Sequence, residues 1–404
     1  MTERGEYDRI INMDNENLQI EEVLTRGVNE VIDKKDLEEK LHSGVKLRVK
    51  LGIDPTSPNI HIGRAVALWK LRQFQDLGHQ VVFIVGDFTG QVGDTSDKNT
   101  ERPMLTEESI KNNLKTYLKQ AYKILDRNKT EIAYNSKWLR KLGFMEICKM
   151  ADLFSLNEFA SRENIAKRYT EGKRVSLREL LYPIMQGYDS VAVKADVELG
   201  GTDQRFNLLA GRTIQPLYGQ TSQNILMMDI IEGLDGRKMS SSWGNTINIL
   251  DEPKDMYGKV MSLRDELIAK YFMVTTRMPI TEITEFLKQH EHPRTQKMRL
   301  AFEITKLYHG EEKAMKAEKA FVKQFSEKKL PDEIPARKLL PGSYKLVDVL
   351  LETGLATSKN EARRLVEQNG VKIDQKTPES DTLIIKDVNG IVIQVGKRKF
   401  IKIL

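Results

Sequence analysis

The spacing of apolar and polar positions changes character along this chain, and each change marks a part of it. From Leu47 to Ile53 the text LRVKLGI is a short apolar-rich strand, and the two prolines of the DPTSPN that follows cannot continue a ladder. HIGRAVALWKLRQFQDLGH then spaces Ala67, Trp69, Leu71, Phe74 and Leu77 along a largely apolar helix, with Gly78 where a left-handed C-terminal cap belongs. VVFIVG, from Val81 to Gly86, is a continuous apolar run of strand length. A strand, a helix and a second strand, both strands apolar throughout, predict a parallel sheet covered on both faces.

Between Thr106 and Leu125 the positions Ile110, Leu114, Tyr117, Leu118, Ala121 and Leu125 keep helical spacing, with Glu107 and Glu108 where the helix dipole favours acids. This helix opens an expected insertion over about residues 103–180. YDSVAVKADVELGGTDQ alternates like a strand and ends in Gly200 and Gly201 before a helix from about Asp203. QNILMMDII is another apolar run, followed by the turn EGLDGR. The α/β pattern, a Rossmann-like catalytic domain, is therefore expected to fill residues 1–250.

No strand is expected between about Lys254 and Lys329. Pro293 opens a helix with Leu300, Ile304, Leu307 and Tyr308 on one face and Gly310 at its end, so residues 251–330 read as an all-α domain. Prolines 331, 335 and 341 with Gly342 mark a linker over 331–343. The remaining 344–404 form a small α+β domain. In it SKNEARRLVEQNG is a helix with a Ser358 and Glu361 capping box, closed by Gly370, and VKID and GIVIQVGKRKFIKIL supply strands.

Composition sharpens this picture in three ways. One cysteine, Cys148, among 404 residues permits no internal disulfide and no thiolate metal cluster, so a reducing cytoplasmic setting without structural zinc is expected. The charged first segment lacks the apolar core of a signal peptide, and no run is long and uncharged enough to span a membrane. The net charge of +6 arises from 64 basic against 58 acidic residues, a modest pointer to a polyanionic partner.

Two short segments carry chemistry. HIGR, His61 to Arg64, falls where a helix starts at the carboxyl end of a parallel strand. Free backbone N–H groups there attract phosphate, Gly63 permits close approach, and His61 and Arg64 add donors. KMSSS, Lys238 to Ser242, sets one cation among small hydroxyl residues between Gly233, Gly236 and Gly244, which suits a mobile clamp on a pyrophosphate leaving group. Alone, each segment also reads as an ordinary polar helix start or a solvated loop.

In order along the chain, GIDPTSPNIHIGR, GDFTGQVGDTSDKNTERP, YPIMQGYDS, ELGGTDQRFN and GRKMSSS resemble the class I aminoacyl-tRNA synthetases, and within them the bacterial tyrosyl family. The C-terminal segment resembles the RNA-binding fold named after a ribosomal small-subunit protein. The resemblance implies ATP as a substrate with Mg²⁺, L-tyrosine and its tRNA as the other substrates, and a homodimer. It places His61, Gly63, Arg64 and Thr56 on the nucleotide, with Asp203, Ser240 and Ser241 beside it. Lys98, Arg102 and Lys238 would act on pyrophosphate. Asp94 would face the substrate ammonium, Tyr182 and Gln186 would contact the amino group, and Asp189 would accept the phenol hydrogen bond. Asp54 and Gln204 would complete the tyrosine contacts. In the small domain Lys359, Arg363, Arg364, Lys372, Lys397, Arg398 and Lys399 would track RNA phosphates.

Each assignment also suits the residue. Adenylation is attack by a carboxylate that needs no deprotonation, so the protein must supply positioning and positive charge at the leaving group. The chain departs from the family pattern in three places: Arg64 where a second histidine is common, Ser241 where a second lysine is common, and Lys50 where a tyrosine often touches the phenol. Three rival readings remain. A tryptophanyl enzyme shares the catalytic architecture, a small nucleotidyltransferase shares the first motif, and an RNA-binding protein derived from a synthetase would keep only the fold.

Overall fold

The computed structural model describes residues 16–94, 104–289, 292–326, 334–339, 342–378, 380–385, 388–396 and 399–404. The chain divides into two compact units, one ending at Met315 and the other running from Lys316 to Leu404. The segment 251–330 expected as a separate all-α domain is thus divided, its part up to Met315 belonging to the first unit and the remainder to the second.

Six strands form the central sheet of that unit: β1 Val28–Ile32, β2 Arg48–Ile53, β3 Gln80–Val85, β4 Thr130–Tyr134, β5 Val197–Gly201 and β6 Asn224–Met228, in the order β1-β6-β5-β2-β3-β4. Five of them are parallel, as the apolar runs predict, while β1 pairs antiparallel with β6 at one edge. The order reverses at β2, whose neighbours are β3 and β5. Crevices at the carboxyl ends of strands beside such a reversal are where open α/β sheets bind ligands. Val81 to Val85 and Ile225 to Met228 are buried throughout, as strands covered on both faces should be.

Four helices position the site: α1 Ile62–Asp76, α2 Glu107–Ala121, α3 Leu177–Val193 and α4 Arg205–Ile214. α1 turns Leu68, Leu71 and Phe74 into the core, and Gly78 beyond it has φ +89°, the open conformation expected of a C-terminal cap. Two expectations are corrected. YDSVAV is the last part of α3 rather than strand, so β5 starts only at Val197. β4 lies within the expected insertion but pairs with β3, so part of that segment builds the main sheet.

Helices α5 Pro253–Met261, α6 Ile268–Thr275 and α7 Pro293–His309 follow, and no strand occurs among the described residues of 254–329. Trp69 of α1 donates to the Tyr308 hydroxyl of α7 at 3.1 Å, and the Arg277 guanidinium stacks 5.0 Å from the Trp69 ring. These contacts tie the helices to the sheet. No described helix is long and apolar enough to cross a membrane.

The second unit contains β7 Ala336–Arg337, β8 Tyr344–Lys345, α8 Leu346–Glu352, α9 Lys359–Glu367, β9 Val371–Ile373, β10 Ile384–Ile385, β11 Val392–Val395 and β12 Lys399–Ile403. Leu346, Val349, Leu350, Ala362, Val371, Ile393 and Ile403 form its own core. Ser358 caps α9 by accepting from the Glu361 N–H. The expected capping box is only half formed, because the Glu361 carboxylate instead takes the N–H and hydroxyl of Thr357. The left-handed position after α9 is Asn369 at φ +55°, not Gly370. Of the expected linker, 334–339 and 342–343 are described, and it is not structureless there: β7 lies within it and pairs parallel with β12.

Candidate active site

A cavity of about 410 Å³ opens at the carboxyl ends of the parallel strands. Asp54, Thr56, His61, Gly63, Arg64, Asp94, Tyr182, Gln186, Asp189, Asp203, Gln204, Lys238, Ser240 and Ser241 all line it. Residues expected from five separate segments therefore share one wall. Lys98 and Arg102 lie outside the described residues, as do Lys397 and Arg398 of the small domain.

One side of the cavity is formed by the start of α1, whose free backbone N–H groups suit an anion. His61 is the N-cap of α1, its Nδ1 accepting from the Arg64 N–H at 3.2 Å. Burial, helped by the charges of Arg64 and Lys238, drives its imidazole down to about 3. The ring is neutral at physiological pH, and with Nδ1 accepting, Nε2 carries the proton and is the donor. A Cβ at Gly63 would stand 3.1 Å from that Nδ1 and 3.5 Å from the Met239 sulfur, so glycine keeps the first helical turn open. The Arg64 guanidinium donates to Thr56 Oγ1 at 3.0 Å, bringing a fixed charge to the strand-to-helix turn.

The loop carrying Lys238 closes the same side. Lys238 pairs with Asp203 at 2.6 Å, and the Ser240 N–H donates to the Asn245 side chain at 2.8 Å. Ser241 and Ser57 hydroxyls lie 3.3 Å apart, joining this loop to the turn after β2. Lys238 is thus held by an acid that lines the same cavity.

Another part of the cavity lining gathers Asp54, Asp94, Asp189 and Tyr182. Asp54 accepts from Thr89 Oγ1 at 2.7 Å and from the Tyr182 hydroxyl at 2.8 Å. Burial, with Asp54 and Asp94 nearby, pushes the Tyr182 phenol well above its ordinary value, so it stays a donor. A Cβ on Gly86 would lie 1.9 Å from Asp54 Oδ1, which explains glycine at the end of β3. Asp94 faces Asn207, whose Nδ2 is 3.4 Å from its carboxylate. Asp189 accepts from Trp138 Nε1 at 2.7 Å and from Asn135 Nδ2 at 3.2 Å. Burial pushes Asp189 up to about 7, against the opposing charge of Lys50 and those two hydrogen bonds.

Sequence reasoning missed Trp138, which donates to Asp189, and Thr89 and Asn135, which join Asp54 to Asp189: Asn135 donates to Thr89 Oγ1 at 2.8 Å as well as to Asp189. Asn135 follows β4 directly, and a rule that looks just past the carboxyl end of every parallel strand would have found it. Lys50 does not hydrogen-bond Asp189. It is buried behind the cavity wall, 3.1 Å from Glu198.

In the second unit Lys359, Arg363, Arg364, Lys372 and Lys399 are exposed. Lys399 and Arg364 both act electrostatically on Glu361, which brings the start of β12 close to α9. Lys359 pairs with Asp348 at 3.0 Å and Arg363 with Asp381 at 3.7 Å, so this face carries both signs of charge.

A parallel sheet with a phosphate-type helix start, a lysine-bearing loop and a polar pocket between them defines a nucleotide-dependent enzyme that activates a small ligand beside the strand reversal. Residues 42–326 match the family described as tRNA synthetases class I (W and Y), and residues 345–377 match the S4 domain. Tyrosine--tRNA ligase of Thermotoga maritima is 48% identical over 386 residues, covering 94% of this chain and 96% of that one. The ligase of Carboxydothermus hydrogenoformans is 46% identical over 398 residues, covering 95% and 97%. Among solved structures, a tyrosyl-tRNA synthetase of Archaeoglobus fulgidus complexed with L-tyrosine superposes with a TM-score of 0.60 at 23% identity, covering 75% of this chain and 99% of that one. A C-terminally truncated mitochondrial tyrosyl-tRNA synthetase of Coccidioides posadasii gives 0.61 at 21%, covering 78% and 98%. The chain belongs to the tyrosine--tRNA ligase family of class I aminoacyl-tRNA synthetases.

Proposed function

We propose that this enzyme activates L-tyrosine with ATP and transfers it to the 3′ end of a tyrosine tRNA. One observation carries the reading: a helix-start phosphate site and a pocket ending in a buried carboxylate, Asp189, line the same cavity. In the first step a tyrosine carboxylate oxygen forms a bond to the α-phosphorus while the bond from that phosphorus to the bridging oxygen breaks, and pyrophosphate leaves with the electron pair. His61, Gly63, Arg64 and Thr56 hold the nucleotide, with Asp203, Ser240 and Ser241 beside it. Lys238 leaves Asp203 to meet the charge that develops on pyrophosphate, assisted by Lys98 and Arg102. Magnesium enters with the ATP phosphates. Among the described residues, no group of three histidine, cysteine or acidic side chains is gathered to hold a metal by itself.

In the pocket Asp189 accepts the phenol hydrogen bond, Tyr182, Gln186, Asp54 and Asp94 surround the ammonium, and Gln204 lies between tyrosine and ribose. The exposed cations of the second unit, with Lys397 and Arg398, contact the tRNA backbone. The reaction takes place in the cytoplasm, and the enzyme acts as a homodimer. Exposed Phe144, Met145, Leu156, Tyr169 and Leu177, on the consecutive helices over residues 144–170 and the start of α3, support a self-association face. Charging of bulk bacterial tRNA with labelled tyrosine or tryptophan tests the reading: tyrosine is incorporated and tryptophan is not. Incorporation of tryptophan, or of neither, overturns it.

A further inference from the structure

Behind the cavity, outside its lining, lies an ion pair that the proposed chemistry does not use. Lys50 of β2 and Glu198 of β5 are each 1% exposed and 3.1 Å apart. The three ammonium protons of Lys50 have three acceptors: Glu198 Oε1, the Gln186 carbonyl at 3.0 Å and Ser190 Oγ at 2.6 Å. Glu198 also accepts from Gln186 Nε2 at 3.0 Å, from Ser190 Oγ at 3.2 Å and from Gln223 Nε2. The pair therefore grips α3 one turn apart, at Gln186 and Ser190, on either side of Asp189.

A carboxylate only accepts hydrogen bonds, so it compels Gln186 to point its NH₂ inward and leaves the amide oxygen for the cavity that Gln186 lines. Were the amide reversed, its NH₂ would face the ligand and repel an ammonium group. Burying two charges is warranted only if the geometry is well satisfied, and here all three Lys50 protons and both Glu198 oxygens have partners, while the Gln223 Oε1 beside them has none. We infer that Lys50 and Glu198 are a positioning pair that fixes the polarity of Gln186, so that the pocket presents an acceptor to the amino group of its substrate. Neither residue touches the ligand; both act through Gln186. This rests on the assignment of Gln186 to the tyrosine amino group.

The test compares two doubly substituted enzymes that both lack the buried charges. Lys50→Met/Glu198→Gln keeps an acceptor oxygen opposite Gln186, whereas Lys50→Met/Glu198→Met removes it. The dissociation constants of L-tyrosine and of 3-(4-hydroxyphenyl)propanoate, which is tyrosine without its amino group, are measured by calorimetry on the full-length chain. The expected result is tyrosine binding at least tenfold weaker in the methionine pair than in the glutamine pair, with the deaminated analogue within twofold in both. Equal weakening of both ligands, or no difference between the variants, overturns the inference. Should the methionine pair fail to fold, Gln186→Leu carries the test, since it deletes the amide oxygen that the pair turns toward the ligand and leaves the ion pair intact. It must weaken tyrosine and spare the analogue, and equal losses overturn the inference. Wild-type enzyme that binds neither ligand would instead contradict the substrate assignment.

Discussion

Asp189 is the residue on which selectivity turns. Its carboxyl titrates near 7 in the folded protein because burial opposes ionisation. Ionised, it offers the phenol two acceptor oxygens; protonated, one oxygen becomes a donor. Tyrosine affinity should therefore rise as pH increases through about 7, while phenylalanine affinity stays flat, and Asp189→Asn should abolish the step. Calorimetric titrations between about pH 5.5 and 8.5 check this. The sign for stability is opposite. The folded-state value lies above the unfolded one, so this group's contribution is fully present at low pH and is lost as pH rises from about 4 toward 7. Asp189→Ala should cost tyrosine activation about 1.5–3 kcal/mol, the worth of a charge-assisted hydrogen bond, and phenylalanine much less. Because Lys50 is paired with Glu198 rather than with Asp189, the substitution strands no hydrogen-bonded partner cation. Equal loss with both amino acids would show that the pocket collapses instead. Lys238→Ala should slow adenylate formation strongly and leave the tyrosine dissociation constant nearly unchanged, since it acts on the extra charge that develops on the leaving group in the transition state. Single-turnover kinetics separate the two quantities.

At the scale of elements, α3 carries the pocket's recognition face and was the hardest to read. YDSVAV alternates, and Pro183 and Gly187 interrupt the helical run, so the period pointed to a strand. Its start carries a local signal that sequence reasoning passed over: Ser176 and Glu179 form a true capping box, with the Ser176 N–H donating to Glu179 at 3.1 Å. Gly187 has a packing reason. A Cβ there would lie 3.0 Å from the Ala210 backbone and 2.7 Å from Ile214 Cδ1, forcing α3 and α4 apart. Gly187→Ala should destabilise the first unit by about 1–3 kcal/mol, seen as a lower melting temperature, and should weaken tyrosine binding by shifting Gln186 and Asp189 together. A variant that melts like the wild type would show that the helices accommodate the methyl group. Motifs at helix starts and loops were plain in the sequence because their chemistry is local. The bonds of Asn135 and Trp138 to Asp189 were not, since they join positions about fifty residues apart that only the sheet order brings together.

Across the whole molecule, the order of α/β, helical and small α+β segments was legible from changes in period, and the parallel core from its unbroken apolar strands. The antiparallel pairing of β1 was not, because an edge strand shows a mixed pattern that propensity cannot distinguish from a loop. The union of the helical segment up to Met315 with the catalytic unit depends on contacts such as Trp69 with Tyr308, which have no local signature. Separation of the second unit has a functional consequence. Removing residues from about 344 onward should leave ATP–pyrophosphate exchange nearly intact and weaken tRNA charging, since the cavity lies wholly in the first unit. Equal loss in both assays would mean that the small unit supports the active site. The central claim, that this cavity activates tyrosine, is tested most directly by ATP–pyrophosphate exchange on the full-length enzyme with each of the standard amino acids in turn. The account predicts rapid exchange with tyrosine, far slower exchange with phenylalanine and none above background with tryptophan at equal concentration; absence of exchange with tyrosine, or faster exchange with another amino acid, would contradict it.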